Sequence, residues 1–228
     1  MENETSKKMK GGRTDTELYV QLGIIAILAL VIVFNAGKVY SGNGTGLSTG
    51  IATVSASEII PKGVPAIYGE ELGITYDDVS PSNQQKADGT IRLLGNIDRT
   101  ENLEGAELKR YIDILYVMNN GISCEYCCGA RSIIFEDGQP ACGCAHSYAM
   151  RGLTKYLIKN HGDEFTNEEI LIENGKWKVL FFPGIHEQKA QVLEANGIDS
   201  TDYVNLASNL YRGIEQGQAN DGGMVGGC

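Results

Sequence analysis

Five of the chain's six cysteines lie in one short segment that ends in a histidine. The segment runs from Ser123 to His146, SCEYCCGARSIIFEDGQPACGCAH. Segments this rich in sulfur are crosslinked by disulfides, carry out thiol redox chemistry or bind a metal ion. Each of these outcomes ties separate stretches of backbone together, so this segment constrains the fold more than any other feature of the sequence.

The residues between the two cysteine groups predict a short β-hairpin. Ser132 to Phe135 has strand character, Asp137-Gly138 is a turn signal, and Gln139 to Ala141 fits a return strand. The hairpin would bring the later cysteines against the earlier ones, at the start of a helix predicted from about Ala145 to Asn160. A knuckle, a hairpin and a helix start in this order are typical of zinc-ribbon and treble-clef sites.

These residues predict a metal site. Its predicted ligands are Cys124, Cys127, Cys128, Cys142, Cys144 and His146. Cys-x2-Cys is one common half of a zinc site, and a helix start favours the thiolate form of a nearby cysteine. Five sulfurs are more than one tetrahedral zinc ion needs, so copper as Cu(I) and an iron–sulfur cluster are alternatives to zinc.

Two other interpretations stay open. Disulfide stapling would give a cell-surface structural or interaction protein, although the adjacent pair Cys127-Cys128 is awkward for it. A thiol redox or electron-transfer protein would use Cys124 and Cys127, although the strand–motif–helix context of a thioredoxin-like fold is missing. No catalytic triad, phosphate-binding loop or carboxylate pair stands out, so non-catalytic metal handling is favoured over an enzyme.

The N-terminal part of the chain predicts a membrane anchor. Leu18 to Ala36 contains no charged residue, and its 19 residues would form a helix of about 28 Å, close to the thickness of a bilayer core. Basic residues precede this stretch, which predicts a single-pass protein of the cell membrane with a cytoplasmic N-terminus. The lipid bilayer is then a partner through residues 18–37, and Asn43-Gly44-Thr45 is a glycosylation sequon on the outer side.

Five segments follow from this interpretation. They are a cytoplasmic basic N-terminus (1–17), a transmembrane helix (18–37), a Gly/Ser/Thr-rich linker (38–57), an extracytoplasmic cysteine-rich domain (58–215) and a flexible Gly-rich tail (216–228). The net charge of −10 argues against a nucleic-acid partner, because phosphate binding needs clustered Lys and Arg.

The predicted fold is an α-rich (α+β) single domain with the hairpin between the two cysteine groups. Apolar residues at helical spacing predict a helix that begins near Leu103, and Thr166 with Glu169 forms a capping box that opens another. Two further helices are predicted, one from about Ile185 to Ala195 and one from Ser200. Prolines predict an irregular segment from Pro61 to Gly89.

The segments SCEYCCGARSIIF and ACGCAHSYAMRGLTKYLIKNHGDEFTNEEI, together with PKGVPAIYGEELGITYDDVS, resemble a group of uncharacterised single-span cysteine-rich proteins of small-genome archaea. The resemblance covers roughly residues 58–185 and implies the same layout of anchor and cysteine-rich domain, without an assigned activity. A fainter similarity links Ala141-Cys142-Gly143-Cys144 to bacterial lipoproteins with a Pro-Cys-Tyr-Cys-Gly-Cys motif, which are suspected of metal binding. The chain lacks the first cysteine of that motif.

Overall fold

The computed structural model describes Tyr19 and residues 54–127, 129–216 and 223–227. The chain divides into two compact units, Met1–Thr49 and Gly50–Cys228. Among the described residues only Tyr19 belongs to the first unit, so the fold that follows is that of the second.

The second unit is built mainly from α-helices. In its described part these are α1 (Ala56–Ile59), α2 (Gly69–Leu72), α3 (Gln84–Thr100), α4 (Gly105–Ile112), α5 (Ala145–Asn160), α6 (Asn167–Phe181), α7 (Pro183–Ala195) and α8 (Tyr203–Ala207). A π-helical turn, Asp113–Val117, and two 3-10 turns, Tyr76–Asp78 and Met118–Asn120, complete the regular structure there. The predicted bounds of α5 are confirmed, as is the capping box of Thr166 and Glu169 at the start of α6.

Helix α3 has no counterpart in the sequence-based prediction, which treats the chain as irregular up to Gly89. Two glycines inside its 17 residues lower its intrinsic helix propensity. Packing against α5 outweighs that cost, since most helix stability in proteins comes from tertiary contacts. The approach is close: a Cβ atom added at Gly152 of α5 would lie 1.8 Å from the carbonyl oxygen of Leu94 in α3. Gly152 therefore allows the two helix backbones to touch.

A buried arginine fixes the cysteine segment onto these two helices. Arg151 of α5 is fully buried, and its Nε donates to Asp98 Oδ2 of α3 at 2.8 Å. Its NH1 group donates to two carbonyl oxygens of the segment, those of Ile133 at 3.2 Å and Cys142 at 2.8 Å. The position of Cys142 and of the residues after it is therefore set by α5 itself.

The predicted β-hairpin is wrong, because no strand forms in the part of the chain that the structure describes. The segment does turn back at Asp137-Gly138, but its pairing is limited to one isolated bridge, between Ile134 and Pro140. The pairing ends at Ile133, because its N–H donates to the Ile122 carbonyl oxygen at 3.0 Å and not back to Ala141. The fold is therefore helical with an irregular cysteine-bearing loop, and the (α+β) class is corrected accordingly.

The predicted membrane span and the cell-membrane location that rested on it are not upheld. Over the residues that the structure describes, no helix has both the length and the apolar character needed to cross a bilayer. Residues 18–37 lie outside that part of the chain, apart from Tyr19.

Candidate metal centre

Three cysteine sulfurs come together where the loop meets the start of α5. The Sγ atoms of Cys124, Cys127 and Cys144 all lie within 4.8 Å of one another. The first two are held by a tight turn, in which the Cys127 N–H donates to the Cys124 carbonyl oxygen at 2.9 Å. The third caps the N-terminus of α5, so two short local structures build the cluster.

Cys144 carries the group best suited to be a thiolate. As the cap of α5, its sulfur accepts the Ser147 N–H at 3.4 Å and lies 3.2 Å from the Ser147 hydroxyl. Its nearest sulfur neighbour is Cys124 Sγ, at 3.4 Å. The hydrogen bond with Cys124, with help from His146 and Ser147, lowers the pKa of Cys144 to about 3 against the opposing effect of burial. Cys144 is only partly buried, so solvent can reach it.

Cys124 is the complementary partner in this pair. It is buried, and the hydrogen bond to Cys144 together with burial raises its pKa well above the ordinary range of a thiol. Of the two sulfurs in this hydrogen bond, Cys124 therefore has the raised pKa and Cys144 the lowered one. Cys127, in contrast, lies at the surface, which leaves one side of the three-sulfur cluster open.

Residues from the C-terminal part of the domain hold the loop in place. The Asn209 side chain accepts from the Ser123 hydroxyl at 2.6 Å and donates to the carbonyl oxygens of Asn120 and Arg131. The Arg212 guanidinium donates to three successive loop carbonyls, those of residues 129–131. These bonds replace the ladder of the predicted hairpin in fixing the loop.

The other two predicted cysteine ligands, Cys142 and Cys128, are not among the described residues that form this three-sulfur cluster. Cys142 is buried and forms a disulfide, and none of the other described cysteines is its partner. As a disulfide sulfur it is no thiolate ligand. Cys128 lies outside the described residues.

His146 lies beside the cluster without joining it. Its ring is fully buried, and its Nε2 donates to the carbonyl oxygen of Val225 at 2.8 Å, since a carbonyl oxygen only accepts. Residues 223–227 of the predicted flexible tail thus make defined contacts, including one from the Val225 N–H to the Phe181 carbonyl oxygen. Nδ1 of His146 is buried, and the ring lies close enough to Cys144 to help lower the pKa of that thiol. No nitrogen of His146 belongs to the group of ligand atoms within 4.8 Å of one another.

Behind the Cys124–Cys127 turn lies a buried charged group that sequence analysis missed. It consists of Glu125, Lys178, His186 and Lys189, called the knuckle cluster below. Lys178 Nζ donates to Glu125 Oε2 at 3.3 Å and to the Ala207 carbonyl oxygen at 2.8 Å, and Lys189 Nζ lies 3.8 Å from Glu125 Oε1. Both lysine side chains are fully buried. No sequence pattern signals them, because each sits in an ordinary helix.

Burial and charge shift the pKa values of the knuckle cluster in different directions. Burial alone would raise the pKa of Glu125, but the ammonium groups of Lys178 and Lys189 outweigh it and lower the pKa to about 2. Burial, followed by the same two ammonium groups, lowers the pKa of His186 to about 3, so His186 is neutral at pH 7. Burial and Lys178 lower the pKa of Lys189 to about 8. The Lys178 charge also favours thiolate at Cys124, although burial and Cys144 dominate there.

The arrangement is compatible with metal binding. With metal–sulfur bonds of about 2.3 Å, a single ion places its thiolate ligands about 3.8 to 4.0 Å apart. The three sulfurs lie within 4.8 Å of one another, so only small movements would bring them to that separation around one ion. Three of the six predicted ligands, Cys124, Cys127 and Cys144, thus come together in a cluster that could hold a metal ion.

None of the protein-family models, curated proteins or solved structures compared with this chain matches it.

Proposed function

We propose that the protein binds one thiophilic metal ion through Cys124, Cys127 and Cys144 and acts in metal handling without catalysis. The observation that carries this proposal is the convergence of three cysteine sulfurs within 4.8 Å of one another. Their open side at Cys127 would let an ion enter and leave. Such access suits a protein that takes up and passes on an ion more than one that buries a structural ion.

The donor set narrows the choice of ion. Three thiolates without a carboxylate favour Cu(I) and zinc over the hard ions magnesium and calcium. Cu(I) needs no further ligand at three sulfurs. Zinc is usually bound by four groups, and the fourth would be water at the exposed Cys127 side or Nδ1 of His146 after a small movement of the ring. An iron–sulfur cluster needs a fourth cysteine, and Cys128 is the nearest along the chain.

Binding would release protons. The hydrogen bond with Cys144, together with burial, raises the pKa of Cys124, so this thiol holds its proton in the metal-free state. A metal ion must displace this proton, so affinity should rise with pH until Cys124 ionises in the complex. The two ammonium groups of the knuckle cluster lie behind Cys124 and offset part of the negative charge of a metal–thiolate complex.

Elemental analysis of protein purified without oxygen tests the proposal. We expect about one copper or zinc ion per chain, and its loss in Cys124→Ser, Cys127→Ser and Cys144→Ser. Titration with Cu(I) in competition with a chromogenic chelator gives the affinity of each variant. Absence of stoichiometric metal, both as purified and after titration, would contradict metal binding.

Cys142→Ser is the matched control, because it makes the same chemical change at a cysteine outside the cluster. We expect its metal content to equal that of the parent protein, with circular dichroism confirming that the fold survives loss of the disulfide. If Cys142→Ser instead lost the metal while still folded, the larger ligand set predicted from the sequence would be favoured.

The disulfide of Cys142 favours a second function, that of a disulfide-stapled structural or interaction protein. The two functions differ in the state of the remaining cysteines. Intact mass with and without reductant counts the bridges in the isolated protein. A count that leaves no free thiol for Cys124, Cys127 and Cys144 would favour stapling over metal binding.

A further inference from the structure

We infer that Cys144 and Cys124 form a reactive dithiol that reduces small disulfides by thiol–disulfide exchange. This activity goes beyond metal binding and uses two of the same three sulfurs. The sequence-based alternative placed redox chemistry at Cys124 and Cys127, the Cys-x2-Cys pair. The structure instead brings together two cysteines that are 20 residues apart in the sequence.

The sulfurs of Cys124 and Cys144 already lie close together. Cys124 Sγ and Cys144 Sγ lie 3.4 Å apart, already in contact, whereas a disulfide bond is about 2.05 Å long. To bond, the two sulfurs would have to approach each other by about 1.4 Å. The pair is therefore positioned to become a disulfide without refolding.

The different accessibility of the two sulfurs assigns their roles. Cys144 is partly exposed and caps the 16-residue helix α5, where the Ser147 N–H supports negative charge on its sulfur. An incoming disulfide can reach it. Cys124 is buried at 1 % exposure, so it can attack only a sulfur already delivered beside it. Cys144 is thus the attacking thiol and Cys124 the resolving thiol.

The exchange balances in two steps. The Cys144 thiolate attacks a disulfide RS–SR, which forms a Cys144–SR mixed disulfide and releases RS⁻. Cys124 then loses its proton to solvent or to the released thiolate and attacks Cys144 Sγ, which forms the Cys124–Cys144 disulfide and releases the second RS⁻. Overall the protein dithiol is oxidised by two electrons and RS–SR is reduced to two thiols; a low-molecular-weight dithiol returns the protein to its reduced form.

Metal binding and this exchange exclude each other. A metal ion held by Cys124 and Cys144 occupies both sulfurs, and a disulfide between them removes two of the three proposed ligands. Oxidation of the pair would therefore release a bound ion.

The test uses the full chain, purified without oxygen or reductant and freed of metal by a chelator, with glutathione disulfide as the probe. Released glutathione and the sites of modification are measured, the latter by alkylation and peptide mass spectrometry. We expect a Cys124–Cys144 crosslink in the parent protein and two glutathione molecules released for each crosslink. The Cys144→Ser variant should release glutathione at least ~10-fold more slowly, since the attacking thiolate is lost.

Cys124→Ser provides a readout that a purely structural role would not change. Without the resolving thiol, the reaction should stop at a stable mixed disulfide between glutathione and Cys144. If this adduct is missing, or if no Cys124–Cys144 crosslink forms in the parent protein, the inference fails. Because the crosslink is sought in the parent protein, the test holds even if a variant does not fold.

Cys127→Ser separates this inference from the proposed metal function. It removes one of the three metal ligands but neither member of the reacting pair. Weaker Cu(I) binding with the crosslink retained supports both proposals. Metal binding in a parent protein that forms no crosslink leaves metal handling alone, and a crosslink in a protein that binds no metal leaves the exchange activity alone.

Discussion

Helix α6 carries two buried charged residues five positions apart, and their surroundings differ sharply. Glu173 faces the N-terminal part of the domain, where it accepts hydrogen bonds from the hydroxyls of Tyr68 at 2.6 Å and Tyr76 at 2.5 Å and pairs with Lys176 at 2.6 Å. The Trp177 Nε1 donates to the Tyr68 hydroxyl at 2.8 Å and closes this Glu173 network. Lys178 faces the knuckle cluster behind the cysteines instead.

The knuckle cluster is less completely paired than the Glu173 network. The Nζ of Lys189 and the Nε2 of His186 are buried and make no hydrogen bond with the described residues. A buried polar atom without a partner costs about 1 to 3 kcal/mol of stability. The difference indicates that the Glu173 network serves the fold, whereas the knuckle cluster tolerates an energetic cost beside the cysteine sulfurs. Such a cost is typical of functional regions.

The largest effect is expected from Lys178→Met in the knuckle cluster. The change leaves Glu125 with the more distant Lys189 as its cationic partner and leaves the Ala207 carbonyl oxygen without the lysine donor. Breaking a buried ion pair in this way costs about 3 to 5 kcal/mol of unfolding free energy. Urea denaturation of the metal-free protein measures it, and the double variant with Glu125→Gln should recover part of the loss. A loss below about 1 kcal/mol, the level of an exposed pair, would mean that the lysine is not buried as described.

Tyr68→Phe should cost less, about 2 kcal/mol, because it removes one hydroxyl from an otherwise intact Glu173 network. That hydroxyl both donates to Glu173 and accepts from Trp177. A double-mutant cycle with Glu173→Gln should give a coupling energy of about 1 kcal/mol or more. Additive effects of the two changes would contradict a closed network.

The pH dependence of stability should distinguish the two regions at alkaline pH. The pKa of Lys189 is about 8 in the fold, below the value of about 10.4 for an unfolded lysine. Between these values the unfolded chain binds more protons, so Lys189 makes stability rise with pH, by at most about 1.4 kcal/mol per pH unit. The groups that face Lys189 are Lys178, Glu125, Glu215 and Arg212.

Urea denaturation of the parent protein and of Lys189→Met isolates this contribution. The measurements run from about pH 7.5 to about pH 10.5, a range that covers the folded and the unfolded pKa of Lys189. The difference in unfolding free energy between the two proteins should grow in favour of the parent as pH rises. A difference that stays constant with pH would show that Lys189 is not desolvated.

The smallest effect is expected from Lys176→Met, the counterpart of Lys178→Met in the Glu173 network. Lys176 also pairs with a glutamate, but its side chain is 27 % exposed and Glu173 keeps both tyrosine hydroxyls. A partly exposed pair contributes about 1 kcal/mol or less. If Lys176→Met and Lys178→Met lowered the unfolding free energy equally, the contrast between the two regions would be lost.

Local signals in the sequence predicted the parts of the fold that depend on local interactions. Thr166 and Glu169 are three residues apart and satisfy each other's backbone donors, so the start of α6 could be found without a structure. The start of α5 directly after Cys144 was equally predictable. Helix α3 was not, because its two glycines weaken the local signal and its stability depends on packing against Gly152 of a distant helix.

The candidate site was predictable in part for the same reason. Cys-x2-Cys forms a local turn, so Cys124 and Cys127 could be paired from their spacing. Whether Cys142 or Cys144 joins them depends on how Arg151 and α5 hold the returning loop, which no spacing reveals. Lys178 and Lys189 reach the site only through the packing of α6 and α7 against the loop.

The sequence by itself determined that sulfur chemistry concentrates in one segment and that a helix begins directly after it, because residue type and capping are local properties. Only the tertiary structure decided which sulfurs meet. It brings Cys144 to 3.4 Å from Cys124, holds Cys142 in a disulfide and places two buried ammonium groups behind the Cys124–Cys127 turn. These outcomes depend on contacts between residues far apart in the chain, and such contacts form only when the helices have packed.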